Sequence, residues 1–271
     1  MEKRETPAAL ALETHREYAL AGNTFNAAHS SSVDVAKVAD VEIEPFTTNC
    51  SHILARADHV LLGISALNSY YTPKNVAQLI RGCSRRFRRV DVLIAGYEQA
   101  YTLVATGIEP RVAVRRAQRA IRTLRNSAVG ALTGCGLEDP AKRVNSWTQL
   151  SIRPGYRTLR ERAGVMYDED PSWRNACRDT TRAALRSLAV SEPTDTAIET
   201  AVPFTLAELP LLLDSPSIYG TDSSVFTYHR PMPLIDFVLR GKCAANQGFA
   251  LLTLASDRCE KPCASIDMTN P

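Results

Sequence analysis

A serine closes the short apolar run His59-Val60-Leu61-Leu62-Gly63-Ile64-Ser65. A nearly continuous apolar run of this length suits a strand buried on both faces. In an open parallel sheet, a small polar residue at the carboxyl end of such a strand sits where ligands bind. The Ser65 hydroxyl is therefore a candidate nucleophile, or else a residue that merely ends the strand. Gly63, two residues earlier, lets a substrate or another backbone approach closely. The stretch Gly63-Ile64-Ser65-Ala66-Leu67 lacks the second glycine of a nucleophile elbow. Glu208 lies in the otherwise apolar stretch Phe204-Thr205-Leu206-Ala207-Glu208-Leu209-Pro210-Leu211-Leu212-Leu213. An ionised carboxylate is expensive to bury there unless a cation or several donors meet it. That cation is either a protein side chain, in a buried salt bridge, or the ammonium of a ligand. Ser223-Ser224-Val225-Phe226-Thr227-Tyr228-His229 reads as another strand, ending in two side chains that can move protons or simply pack.

A second kind of chemistry is concentrated between Arg111 and Arg125. At 100° per residue, Arg111, Arg115, Arg119, Arg122 and Arg125 share an arc of about 120°, with Val114, Ala117, Ile121 and Leu124 on the opposite side. No Asp or Glu occurs from 111 to 128, so the usual i,i+4 neutralising partners are missing. The expectation is a cationic ridge for a polyanion, which would position a nucleic acid without reading its sequence. Arg81, Arg85, Arg86, Arg88 and Arg89 could extend it.

The elements that must position these residues follow from the pattern. Thr72-Pro73 is an N-cap followed by proline at the first helical position, opening a helix through about Phe87. Val90 to Ala95 reads as a second buried strand, completing a right-handed βαβ unit. Further helices are expected at 110–129, 155–164, 171–188 and 195–213, and further strands at 144–150, 224–228 and 249–254. Residues 1–45 read as a poorly ordered leader, 46–256 as one α/β domain with a parallel sheet flanked by helices, and 257–271 as a tail.

Composition limits the alternatives. With 271 residues, 45% of them hydrophobic and 23% charged, the chain can bury a substantial core, and fibrous or wholly disordered classes drop out. The acidic residues Glu2, Glu5, Glu13 and Glu17 argue against a basic-then-apolar signal peptide, and no apolar run approaches the roughly 18 residues of a membrane span. The expectation is a soluble, cytoplasmic protein with no membrane partner. A net charge of +3 is too small to announce nucleic-acid binding by itself. Seven cysteines without a C-x-x-C pair read as reduced thiols, Cys259 and Cys263 being the one pair to watch. No metal site is expected. Phosphate-loop, dinucleotide and zinc-hydrolase motifs are absent, so no cofactor is expected. The sequence does not fix an oligomeric state and is compatible with a monomer.

Taken together, these pieces resemble the cyclodipeptide synthases. His59-Val60-Leu61-Leu62-Gly63-Ile64-Ser65 fits that family's H-x-aliphatic-aliphatic-G-aliphatic-S signature, and Asn68-Ser69-Tyr70-Tyr71 continues it. Leu206-Ala207-Glu208-Leu209-Pro210, Asp214-Ser215-Pro216 and Ser223-Ser224-Val225 leading to Tyr228-His229 corroborate it over about residues 52–255. The resemblance implies a Rossmann-like domain similar to the catalytic domains of class I tyrosyl- and tryptophanyl-tRNA synthetases. It implies a cyclic dipeptide made from two aminoacyl-tRNAs by ping-pong transfer through an ester on Ser65. Glu208 would hold the first α-ammonium, and Tyr228 would relay protons. Asn68 and His229 would line the site, and the arginine helix would take the first tRNA. An ester exchanged for an ester needs neither ATP nor metal. Capture on Ser65 would be followed by attack of the second aminoacyl-tRNA's amine, and cyclisation onto the seryl ester by proximity.

One position departs from the family pattern. Its second signature begins with a tyrosine whose hydroxyl helps bind the α-amino group, and here Phe204 stands in its place. A lost neutral hydrogen bond is worth about 0.5–1.5 kcal/mol. The resemblance also implies Leu61, Gly63, Leu93, Ala95, Leu211 and Phe226 as walls of the first side-chain pocket, favouring a hydrophobic first amino acid. Two rival readings follow from the same residues: a serine acyltransferase or hydrolase, which needs a histidine beside Ser65, and a non-catalytic RNA-binding module. An aminoacyl-tRNA synthetase would need HIGH and KMSKS signatures, which are not recognisable.

Overall fold

The computed structural model describes residues 36–38, 41–188 and 190–255. Among the described residues seven strands, β1 (Ala36–Val38), β2 (Val41–Pro45), β3 (His59–Ile64), β4 (Arg89–Ile94), β5 (Val144–Ser146), β6 (Ser224–Tyr228) and β7 (Gln247–Leu254), form one sheet. The described residues also form ten helices: α1 (Thr48–Arg56), α2 (Pro73–Ser84), α3 (Gln99–Ala105), α4 (Pro110–Gly134), α5 (Pro140–Arg143), α6 (Trp147–Leu150), α7 (Pro154–Glu169), α8 (Pro171–Arg186), α9 (Asp195–Tyr219) and α10 (Pro233–Val238).

The strand order is β1-β2-β7-β6-β3-β4-β5. From β7 to β5 every neighbour is parallel, as expected, whereas β1 and β2 add an antiparallel edge against β7. From β3 the chain moves outward through β4 and β5, then returns to the other side of β3 to place β6 and β7. Helices leaving β3 and the connection entering β6 therefore diverge, which makes the gap beyond the ends of these two strands the topological switch point where open α/β sheets bind ligands. This is the Rossmann-like α/β arrangement.

Alternation in the central strands feeds two cores. Val60, Leu62 and Ile64 of β3 join Leu79 and Ile80 of α2 and Leu124, Ala128 and Leu132 of α4. Leu61, Leu93, Phe226 and Phe249 face Leu209, Leu211 and Leu212 of α9 and Trp173 of α8. Burial on both faces explains why β3 is apolar without alternation. It also explains α9, whose composition alone would suit a membrane span but which is mostly buried in this core.

Caps set several boundaries as read from the sequence. Thr72 caps α2 by accepting from Asn75 N, with Pro73 opening the helix. Other boundaries differ. The run at 144–150 is a three-residue strand, because Ser146 and Gln149 form a reciprocal capping box that starts α6 at Trp147. α9 continues past 213 to Tyr219, kinked at Asp214. There Gln247 Oε1 accepts from Ser215 N at 2.8 Å and Asp214 Oδ1 from Ser217 N at 3.1 Å, satisfying amides freed by the kink. The sheet also begins earlier than the expected boundary at 45: Val41 and Ile43 are fully buried. Their alternation is too brief to register as a strand without its partner β7. β1, residues 36–38, lies within the expected leader too, while residues 1–35, 39 and 40 and the tail with Cys259 and Cys263 lie outside the described residues. The five described cysteines are free thiols.

β2 is seated directly on α2. A Cβ at Gly82 would lie 2.3 and 2.7 Å from the two methyl carbons of Val41. Gly82→Ala is expected to destabilise the protein by about 1–3 kcal/mol in urea unfolding, and adding Val41→Ala should recover part of that loss. A penalty unchanged by Val41→Ala would mean that the edge strand does not rest on the helix.

Candidate active site

A cavity of about 230 Å³ opens at the switch point. The end of β3 supplies Gly63 and Ser65, the end of β4 supplies Leu93 and Ala95, and α9 supplies Phe204, Thr205 and Glu208. Phe204 and Glu208 are one helical turn apart and so share a face. Tyr228 closes the β6 side, and the segment Arg230-Pro231-Met232-Pro233 continues the wall.

Glu208 faces this cavity without a protein cation. Among the described residues no salt bridge reaches it. Burial pushes its carboxyl up to about 7. Of the two readings left open by the sequence, the buried salt bridge is absent. The helix around it is fixed by other contacts: Tyr156 Oη donates to Ala207 O at 2.8 Å, and the buried Thr181 and Thr205 hydroxyls meet at 2.7 Å.

Tyr228 joins Ser65 to the rest of the site. Its hydroxyl interacts with the side chains of Ser65 and Asn68, and burial, opposed by Arg230, raises its pKa. Behind it lies a directed hydrogen-bond chain. Tyr71 Oη donates to Gly63 O at 2.9 Å, so at His229 Nδ1, 3.0 Å away, it accepts. Nδ1 then carries the proton, and Nε2 accepts from Asn68 Nδ2 at 3.0 Å. Asn68 Oδ1 in turn accepts from Tyr70 N at 2.9 Å. Burial, with Arg230 adding to it, drives His229 down to about 3. His229 is thus a neutral strut of one tautomer, holding the Ser65–Tyr71 turn against β6. Asn68 and His229 support the site from behind Tyr228 and do not line its cavity.

Three expected pocket walls are also displaced. Leu61, Leu211 and Phe226 are fully buried in the core beneath the cavity. Leu61 and Phe226 share the faces of Gly63 and Tyr228 but stand one pleat deeper, about 6–7 Å down the strand. The Phe226 ring takes the space a side chain at Gly63 would fill, since a Cβ there would come within 2.9 Å of its Cζ. Gly63, Leu93, Ala95 and Phe204 line the cavity. Trp147, Thr180, Met232 and Arg230 line it too and were not foreseen. Trp147 packs edge-on to Phe204, with centroids 4.8 Å apart.

The sheet's opposite end holds a serine, a histidine and an aspartate in contact. His59 Nδ1 lies 2.8 Å from Ser224 Oγ and its Nε2 3.3 Å from Asp91 Oδ2. These residues are all at most 1% exposed, so no substrate reaches them. Burial opposes the charge on Asp91, but His59 and Arg89 hold its carboxyl below the ordinary value. Neither His59 nor His229 serves Ser65 as a base, and the hydrolase reading loses its support among the described residues.

The arginine ridge is narrower than its helical wheel. Arg111, Arg115, Arg119 and Arg122 are exposed on α4, whose buried Ala113 and Ala117 pack on Ala100 and Leu103 of α3. Arg125 is instead a strut to the neighbouring segment, donating to Val144 O, Ala141 O at 2.8 Å and Gln149 Oε1 at 3.2 Å. The expected extension is mostly consumed elsewhere. Arg86 reaches Leu54 O, Arg88 pairs with Asp58, and Arg89 pairs with Asp91 and Tyr219 O. Arg81 and Arg85 remain exposed.

The raised Glu208 carboxyl has a stability consequence of fixed sign. Below its unfolded value of 4.5 it is neutral in both states. As pH rises towards 7 the unfolded chain ionises more readily, so stability falls. Glu208→Gln should unfold with the wild-type midpoint near pH 4 and be more stable by up to about 3 kcal/mol above pH 7. A difference independent of pH would refute the assignment.

The sequence profile of the cyclodipeptide synthases matches residues 41–254. A cyclo(L-leucyl-L-phenylalanyl) synthase from Streptomyces noursei is 33% identical over 194 residues, covering 69% of this chain and 80% of the relative. The crystal structure of a cyclodipeptide synthase from Bacillus thermoamylovorans superposes with a TM-score of 0.75 at 30% identity, covering 80% of this chain and 97% of that one. A Mycobacterium tuberculosis structure, described as showing that these enzymes are related to type I tRNA synthetases, gives a TM-score of 0.73 at 28% identity, covering 81% and 96%. By its profile match, its relatives and its fold, the chain belongs to the cyclodipeptide synthase family.

Proposed function

We propose that this cyclodipeptide synthase takes two aminoacyl-tRNAs and joins their amino acids through an ester on Ser65. The observation that carries the reading is the shared cavity of a strand-end hydroxyl and a half-buried carboxylate that no salt bridge reaches among the described residues. The α-ammonium of the first aminoacyl group supplies the missing cation, and a charge-assisted contact in a dry site is strong. Ser65 Oγ attacks the ester carbonyl, the bond to the ribose oxygen breaks, and the serine proton passes by way of Tyr228 to the departing ribose hydroxyl.

Atom balance corrects the order expected for the second step. Attack by the second substrate's amine would leave the dipeptide on tRNA and vacate Ser65. Cyclisation onto the seryl ester requires the reverse: the amine held on Ser65 attacks the second aminoacyl ester, giving a dipeptidyl ester on Ser65 and free tRNA. That amine must first lose a proton. Glu208, the carboxylate that holds this ammonium, is placed to receive the proton. The new terminal amine then attacks the Ser65 ester, closing a six-membered ring and restoring the hydroxyl.

Leu93, Ala95, Trp147, Phe204 and Met232 give the cavity an apolar lining that suits a hydrophobic first residue. The name of the S. noursei relative, with leucyl and phenylalanyl groups, supports the same class. Arg111, Arg115, Arg119 and Arg122 take the first tRNA along its phosphates. The setting is the cytoplasm, without a membrane partner.

Incubation with charged tRNA should add the mass of one aminoacyl group to the wild-type protein and release a diketopiperazine. Ser65→Ala should do neither, and undiminished product from the variant removes Ser65 as nucleophile. Arg115→Ala with Arg119→Ala should raise KM for the first substrate several-fold at low salt, with the defect shrinking at high salt. Identical kinetics at both ionic strengths would exclude the ridge. Phe204→Tyr should raise kcat/KM by about 2- to 10-fold if a hydroxyl there restores a contact with the α-amino group.

A further inference from the structure

The cavity carries one charged group towards its floor and one of opposite sign at its mouth. Arg230 is exposed, borders the same cavity as Ser65 and Glu208, and follows Tyr228-His229 at the end of β6. Pro231 and Pro233 restrict the backbone on its far side. Its guanidinium donates to Ser187 Oγ at 3.2 Å, at the C-terminal end of α8. No salt bridge among the described residues involves it. Most of its five donors are therefore left for a ligand. Its charge opposes the burial that raises the Tyr228 pKa and adds to the burial that lowers that of His229.

An aminoacyl ester of a terminal adenosine presents its charges in matching order. The ammonium comes first, next to the ester carbonyl, then the ribose, and only then the phosphate on the 5′ side. With the ammonium on Glu208 and the carbonyl at Ser65, the phosphate emerges at the cavity mouth. A planar guanidinium with free donors is the side chain best matched to a phosphodiester.

We propose that Arg230 binds the phosphate on the 5′ side of the terminal adenosine of the first aminoacyl-tRNA, setting how deep the ester is seated against Ser65. This rests on the aminoacyl-tRNA reading above and makes Arg230 a positioning residue, distinct from the ridge on α4. The ridge grips a long stretch of backbone, whereas Arg230 addresses a single linkage.

The test uses full-length aminoacyl-tRNA whose last internucleotide linkage is either the natural phosphodiester or a neutral methylphosphonate. Acylation of Ser65 is followed by intact-protein mass in single turnovers. Wild-type protein should require about tenfold more of the methylphosphonate substrate for half-maximal acylation, with a similar limiting rate. Arg230→Ala should use the two substrates equally, and Arg230→Lys should keep part of the preference. A merely structural tie to Ser187 would slow both substrates alike and leave the preference intact. Equal use by the wild type, or a preference retained in Arg230→Ala, overturns the assignment. Failure of the wild type to be acylated even by the natural substrate instead overturns the ester-transfer reading on which it rests.

Discussion

Removing a carboxylate from water without supplying a cation is unfavourable, and the candidate site is organised around one such group. Glu208 is held on α9 by contacts that do not involve its own side chain: the Tyr156 hydroxyl on Ala207 O, the Thr181–Thr205 pair, and leucines at 209, 211 and 212 packed against the sheet. The packing fixes where the charge must be, and the ligand completes it. A site already oriented before binding has little reorganisation left to do in the transition state. Stability is sacrificed locally for that arrangement, as is common where function requires an unsatisfied group.

The position of α9 is in turn fixed from the far end of the sheet. Its last carbonyls accept from guanidiniums: Arg153 reaches Ile218 O at 3.1 Å and Arg89 reaches Tyr219 O at 2.9 Å. Both cations also stand over the Tyr219 ring, at 5.0 and 5.6 Å, and suit the negative end of the helix. Arg89 is locked to Asp91, which contacts His59 at the start of β3. The strand that carries Ser65 and the helix that carries Glu208 are thus tied together by a partly buried polar network about 20 Å from the cavity, judged by the length of β3. That network, and not catalysis, accounts for the histidine that opens the sequence signature.

The sequence disclosed those features that depend on local pattern. Apolar runs located β3, β4, β6 and most of β7, and Thr72-Pro73 located α2, because burial on two faces and capping leave marks within a few residues. Ser65, Glu208 and Tyr228 were recoverable from strand ends and from a charge among leucines, and Phe204 only from the family pattern it departs from. Depth was not. Leu61 and Phe226 share the correct faces but lie one pleat too low, and only the three-dimensional floor of the cavity separates them from Gly63 and Leu93. Trp147 was hidden inside an expected strand because a capping box at Ser146 converts the chain to helix sooner than its hydrophobicity suggests. β2 was missed because it is only five residues long and its longer partner, β7, is about 200 residues away, so its local signal is weak.

Arginine shows most clearly why residue type is insufficient. Arg125 belongs to the cationic arc by angle, yet the carbonyls of Ala141 and Val144 claim it, whereas Arg111, Arg115, Arg119 and Arg122 meet no such acceptor among the described residues and are exposed. The difference is where α4 runs: its first half rests on small alanines over α3, and its second half passes beside α5 and β5. Since α3 begins just beyond the end of β4, the exposed arginines stand on the same end of the sheet as the cavity. A positive surface leading to a pocket with a carboxylate inside it reverses sign along the path of entry. Long-range attraction then favours a polyanion, while the carboxylate in the pocket suits a cationic head. A free nucleotide satisfies the first condition and a free amino acid's ammonium the second. A single molecule satisfies both only if an amino acid is carried on the end of a nucleic acid.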